Sequence, residues 1–201
     1  MDGRKQMKKI ILASGSPRRR ELLTQIGISF EVVKAEGEEK ITTDDPEEAV
    51  KELAMQKAQE VAGRVDADVV IGADTVVAVD GEIMGKPKDP EDAVRMIRRI
   101  QGRDHEVLTG VAVILKKGEV ETTINFAETT RVHVFPMTEE EIRAYVASKE
   151  PMDKAGAYGI QGLFAAYVSG IEGDYNNVVG LPVGRLYQEV KAIADVDLRT
   201  L

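Results

Sequence analysis

Apolar positions along the chain recur with two periods, and each change of period marks an element. Residues 9–14, "KIILAS", form a short uninterrupted apolar run, the pattern of a strand covered on both faces. Ser16 followed by Pro17 is an N-cap and first-turn pair, and predicts a helix through "RRRELLTQIG" that Gly27 closes. "ISFEVVKA" alternates as a half-buried strand does. Asp45-Pro46 and Asp89-Pro90 repeat the cap-plus-proline signal and predict helices over roughly 46–63 and 90–101. "DVVIGADTVVAVDGEIMG" predicts two strands joined at Asp80-Gly81, a dipeptide suited to a type I′ hairpin turn. Two or three further strands fill residues 105–135. Thr138 with Glu141 makes a capping box for "EEEIRAYVASKE". "LFAAYVSGI" predicts a strand, and "PVGRLYQEVKAIA" a last helix with Pro182 at its first position.

This alternation predicts a mixed α/β architecture. No repeat, low-complexity tract or long linker interrupts it, so residues 1–201 are expected to form one domain. The formal net charge of -8 argues against a general nucleic-acid or anionic-membrane surface, because both need a net basic footprint. There are no cysteines, which excludes disulfides, thiolate metal sites and cysteine nucleophiles. The polar start "MDGRKQMKK" and the short apolar stretch after it fit neither a signal peptide nor a span, so a cytoplasmic location is expected.

In so acidic a chain an anionic ligand needs a local basic site, and "SGSPRRR" supplies one. A helix N-terminus offers unpaired backbone N–H groups and the positive end of its dipole. The small residues Ser14, Gly15 and Ser16 let a ligand approach the backbone. Arginines in a first helical turn oppose the dipole, a cost that a bound polyphosphate would offset. The alternative is an ordinary helix start with solvated arginines.

Three further positions stand out. Lys57 falls on the inward stripe made by Val50, Leu53, Ala54, Ala58 and Val61, where a lysine either snorkels or meets an anion. Asp74 interrupts "VVIGADTVVAV", and a carboxylate there must be paired, hold a metal or sit at the mouth of a site. Counting outward from the Asp80-Gly81 turn pairs Val79 with Glu82 and Thr75 with Lys86, which sets Lys86 beside Asp74. That arrangement serves either a metal or polarised water, or a simple ion pair across a hairpin. In the acidic stretch 35–48, one or two of Glu36, Glu38 and Glu39 are candidates for a divalent cation, and spacing does not choose among them. "DKAGAYGIQG" is either a flexible turn or a close-approach loop presenting Gln161 to a base edge. His105 and His133 lack ligand spacing and are expected to be structural.

Taken together, "LASGSPRRRELL", "EEK", "LAMQKA", "IGADTVV", "GKP", "KEPMDKAGAYGIQG" and "GDYNNVVGLP" follow one order across roughly residues 9–194. In that order they resemble the Maf family of nucleoside triphosphate pyrophosphatases, also called septum formation proteins. The resemblance implies an inosine triphosphatase-like fold: an elongated mixed β-sheet flanked by helices, in two lobes with a central cleft. It implies hydrolysis of a nucleoside triphosphate to monophosphate and pyrophosphate with a divalent cation, Mg²⁺ or else Mn²⁺ or Co²⁺. It assigns Ser14, Ser16, Arg18 and Arg19 to substrate binding and Asp74 to the general base. Lys57 and Lys86 fall on the family's lysines, and Glu39 best matches its acidic motif. Asp74 and Glu39 are then the expected metal ligands. Arg18, Thr75 and Gln161 match the branch that acts on dTTP and UTP, with modified pyrimidine triphosphates as further candidates. A homodimer is also implied. A non-catalytic nucleotide-binding regulator of division is the alternative function.

Overall fold

A computed structural model describes residues 9–201, so the reading of the first eight residues lies outside the described part. Among the described residues, seven strands form one mixed sheet: β1 (Ile10–Leu12), β2 (Glu31–Val32), β3 (Val69–Val79), β4 (Glu82–Met84), β5 (Asp104–Lys117), β6 (Val120–Val134) and β7 (Val168–Glu172). Their order is β2-β1-β3-β5-β6-β7, with β4 paired to β3. β1 runs parallel to β2 and β3, and the remaining pairs are antiparallel. The helices are α1 (Pro17–Gln25), α2 (Pro46–Arg64), α3 (Pro90–Ile100), α4 (Glu139–Ala147), α5 (Tyr175–Val179) and α6 (Val183–Ala194). The mixed α/β reading therefore holds.

β3 organises the layers, because successive side chains point to opposite faces. Val70, Val76 and Ala78 meet α2, in two small clusters that include Ala54, Ala58, Val61 and Val50. Val69, Ile71, Ala73, Val77 and Val79 face the larger core, with Leu22 and Leu23 of α1 and Ile97 of α3. Contact with α2 is close enough to need glycine. A Cβ on Gly72 would lie 2.3 Å from the Ala54 carbonyl oxygen, and one on Gly110 of β5 would lie 2.0 Å from that of Val50.

The cap signals are legible in the structure. Asp45 and Asp89 accept from first-turn N–H groups of α2 and α3, and Thr138 with Glu141 closes a capping box on α4. At the hairpin, Asp80 and Gly81 both have positive φ, as a type I′ turn requires.

Several expectations need correction. The hairpin pairs Val79 with Glu82, Ala78 with Ile83 and Val77 with Met84, and pairing stops there. Thr75 lies opposite Thr109 of β5 instead of Lys86. The two long strands β5 and β6 fill residues 105–135, within the two or three expected there. "ISFEVVKA" contributes only two paired residues. "LFAAYVSGI" begins as a turn of 3-10 helix at Leu163–Tyr167, which lets Phe164 reach the core, and becomes β7 only from Val168. Pro182 is the cap of α6, one position before its first turn. The short α5, inside "GDYNNVVGLP", is an element that the apolar periodicity does not mark. No helix among the described residues is long and apolar enough to cross a membrane.

Candidate active site

A cleft of about 710 Å³ opens at the end of β1 and along the middle of β3. Ser14, Ser16, Arg18, Arg19, Glu39, Lys57, Asp74, Thr75, Lys86 and Gln161 all line it. Its charged lining adds Asp153 and Lys154, giving five cations against three carboxylates in a chain of net charge -8. A local cationic surplus in an acidic protein favours a polyanionic ligand.

The turn between β1 and α1 forms one wall. Ser16 occupies the N-cap position of α1, yet its side chain makes no capping hydrogen bond and no acid sits in the first turn, unlike α2, α3 and α4. The N-terminus is thus left open to a ligand. Its three arginines divide the work. Arg20 is exposed, and Arg18 is half-buried, with Asp153 at 3.9 Å. Arg19 is buried: it donates to the Gly180 carbonyl at 2.8 Å, to Ser14 Oγ at 3.0 Å and to Thr75 Oγ1 at 3.0 Å. Burial pulls its pKa down, with the charge of Asp74 the largest opposing influence.

On the α2 face of β3 stands Asp74. β3 is buried along its length except at Asp74 and Thr75, where it meets the cleft. Lys57, on the inward stripe of α2, donates to Asp74 Oδ1 and lies 3.0 Å from Glu39 Oε1. Lys57 and Asp74 expose only 15 and 17% of their side chains. The cationic neighbour of Asp74 is therefore Lys57, not the Lys86 expected from the hairpin. Lys86 lines the cleft from an exposed turn that follows Gly85, whose carbonyl accepts from Gly156 N–H.

The polar side of α2 brings in Glu39. Glu60 accepts from the N–H groups of Glu36 and Gly37, Gln56 exchanges hydrogen bonds with Lys40, and Glu52 accepts from Thr42. These residues, one turn apart, lay the acidic loop along the helix. Glu36 pairs with Arg64, away from the cleft, and Glu39 alone of the three glutamates lines it. Glu39 and Asp74 share one ammonium, and among the described residues no group of three metal-ligating side chains occurs. Such a pair fits Mg²⁺, which uses one or two carboxylates and takes its other ligands from phosphate oxygens and water. It does not fit a site closed by protein alone.

The glycine-rich segment is pinned. Tyr158 and Ile160 are buried, and Phe164 packs between Tyr145, Tyr158 and Tyr167 at ring distances of 4.7 to 5.7 Å. Glu150 accepts from Tyr145 Oη and from Leu163 N–H, which fixes the turn carrying Gln161. Gly156 has φ +67° and lies against Val77, so a side chain there would clash. On its sheet side, Tyr158 Oη is 2.6 Å from Nε2 of His105. Burial lowers the pKa of His105 to about 4 and keeps it neutral, while the Asp104 carboxylate raises that of the half-buried His133. Asp153, Lys154 and Gly180 are cleft residues that sequence reasoning missed. The adjacent charges of "DK" beside a glycine-rich run were the available signal for the first two; Gly180 lies inside "GDYNNVVGLP", one of the motifs that carry the resemblance, to which no site role was attached.

Residues 9–193 match the family described as "Maf-like protein". A dTTP/UTP pyrophosphatase of Agathobacter rectalis is 53% identical over 201 residues, covering 93% of this chain and 98% of that protein. One from Lachnoclostridium phytofermentans is 52% identical, covering 92 and 95%, and one from Bacillus cereus is 51% identical, covering 92 and 90%. Among solved structures, the Staphylococcus aureus Ham1 protein aligns with a TM-score of 0.46 at 17% identity, over 63% of this chain and 72% of that one.

Proposed function

Because the chain belongs to the Maf family, we propose that it hydrolyses dTTP and UTP to the monophosphate and pyrophosphate, with modified pyrimidine triphosphates as further substrates. One observation carries this reading. The Lys57 ammonium lies against both Asp74 and Glu39, in a cleft whose remaining charged lining is mainly cationic. Paired carboxylates among cations suit hydrolysis of a polyphosphate better than simple storage of one.

Asp74 holds a water in line with the α-phosphorus and accepts its proton. The water oxygen bonds to phosphorus as the bond to the α–β bridging oxygen breaks, and that electron pair leaves with pyrophosphate. Arg18, Lys57, Lys86 and the free N–H groups of Arg19 meet the charge on the triphosphate and on the leaving group. Ser14 and Ser16 shape the turn against the phosphates, and Gln161 presents its amide to the base. Asp74 and Glu39 would hold a divalent cation, Mg²⁺ or else Mn²⁺ or Co²⁺, which supplies Lewis-acid stabilisation of the phosphate charge.

A nucleotide panel that includes modified pyrimidines tests the reading. With Mg²⁺, dTTP and UTP should yield pyrophosphate and monophosphate, and Asp74→Asn should abolish turnover while nucleotide binding persists. Release of inorganic phosphate with a diphosphate product, or binding without release, would overturn the reaction. Near-normal turnover in Asp74→Asn would overturn the role of Asp74.

A further inference from the structure

Beneath the cleft, on the face of the sheet opposite Lys57, lies a buried chain of hydroxyls. Thr75 Oγ1 is 2.9 Å from Thr109 Oγ1, its register partner on β5, and Thr109 Oγ1 donates to the Asn177 carbonyl of α5 at 3.1 Å. Thr109 and Asn177 are fully buried. Asn177 is itself held, its amide donating to the Val107 carbonyl and to Thr130 Oγ1, both at 3.0 Å.

A hydroxyl has one hydrogen to give. Thr109 donates its own to Asn177, so the hydrogen between Thr75 and Thr109 must come from Thr75. Arg19 has no acceptor, so Thr75 receives from it. Thr75 Oγ1 also lies 3.5 Å from the Gly180 carbonyl, too long to compete with the 2.9 Å contact to Thr109. The direction that follows is Arg19 to Thr75, Thr75 to Thr109, Thr109 to the Asn177 carbonyl. The other Arg19 bonds fit the same arrangement. Its Nε donates to Gly180, at the C-terminal cap of α5, and its Nη1 to Ser14. Among the described residues, three of the five guanidinium N–H groups are thereby used, and two remain.

We infer that Thr109 and Asn177 are positioning residues, which through Thr75 hold the Arg19 guanidinium with its two free N–H groups available to the triphosphate. The inference rests on the triphosphate reading of the cleft and deepens it. Thr75 then has no hydrogen to offer a phosphate oxygen, which accepts only. Its part at the phosphates is to seat the arginine, and toward a ligand it acts only as an acceptor.

Thr109→Val keeps the shape of the side chain and removes the acceptor for Thr75; Thr109→Ser keeps the hydroxyl. Kinetics with dTTP and Mg²⁺ are read beside calorimetric binding of inorganic tripolyphosphate, with thermal melting as the check of folding. Thr109→Val should raise KM and the tripolyphosphate Kd about ten-fold, the scale of one hydrogen bond in a charged network, with a smaller change in kcat. Thr109→Ser should restore both. Thr75→Val should match Thr109→Val, and the double variant should be no worse than either, because one chain is broken in each. An unchanged tripolyphosphate Kd in a Thr109→Val protein that melts like the wild type would overturn the inference, as would multiplying effects in the double variant. Should Thr109→Val fail to fold, Thr75→Val, at a half-buried position, carries the same expectation. Tripolyphosphate binding is read without turnover, so it reports on the seating of Arg19 even if the chain proves not to be a pyrophosphatase.

Discussion

Replacing Lys57 by Met should destabilise the protein more than replacing Asp74 by Asn, although the two form one ion pair. Methionine preserves the apolar stem that fills the inward stripe of α2 and removes only the charge. Two carboxylates, Asp74 and Glu39, then face each other without the ammonium that both now contact. Removing one partner of a fully buried pair costs about 3–5 kcal/mol. Here the pair is 15 and 17% exposed and Glu39 is 55% exposed, so solvent softens the loss to about 2 kcal/mol. In a chain of this length that corresponds to about 4–8 °C in Tm. Asp74→Asn leaves Lys57 against Glu39 at 3.0 Å and should cost about 1 kcal/mol. Calorimetric melting of the two variants and the wild type, at low and high salt, reads the difference. Millimolar Mg²⁺ should raise the Tm of Lys57→Met more than that of the Lys57→Met, Asp74→Asn double variant, since two carboxylates hold a divalent cation more tightly than one. A Lys57→Met protein that melts within about 1 °C of the wild type, or an Asp74→Asn protein that melts lower, would refute this account of the charges.

Three further outcomes are expected. His105 has a folded pKa lowered to about 4, so the unfolded chain binds a proton that the native state refuses; stability is lost as pH falls from about 6.5 toward 4, by about 2 kcal/mol at pH 5. Urea midpoints of wild type and His105→Gln at neutral and acid pH should show this slope reduced in the variant, while the half-buried His133, whose pKa is raised, contributes with the opposite sign in both. Gly110→Ala forces a Cβ to within 2.0 Å of the Val50 carbonyl oxygen and should cost about 3 kcal/mol or more, read as a lower denaturant midpoint. Arg18→Ala should raise KM for the nucleotide while Arg20→Ala leaves it unchanged, because Arg18 lines the cleft and Arg20 does not.

Features that depend on local chemistry were legible in the residues alone. Cap residues fixed the starts of α2, α3 and α4. Asp80-Gly81 set a turn that only positive φ permits, and with it the first three pairs of the hairpin. The period of 3.6 placed Lys57 on the inner face of α2, and the period of 2 put Asp74 and Thr75 on opposite faces of β3. The ordered set of motifs was enough to indicate the family. Tertiary structure decided the partners. β4 ends at Met84 and the chain turns toward Gly156, so Lys86 cannot reach along the hairpin to Asp74. α2 crosses the sheet over Gly72 and Gly110, and that crossing delivers Lys57 to Asp74 in its place. Which glutamate joins them depends on the row Glu52, Gln56 and Glu60 gripping a loop that has no periodicity of its own. Likewise, the motif distinguishes Arg19 from Arg20, but the burial of Arg19 follows from α5, whose C-terminal cap Gly180 accepts from it. Periodicity reports which way a side chain faces; what it meets there depends on segments tens of residues away, brought close by the burial of faces that carry no mark of their partner.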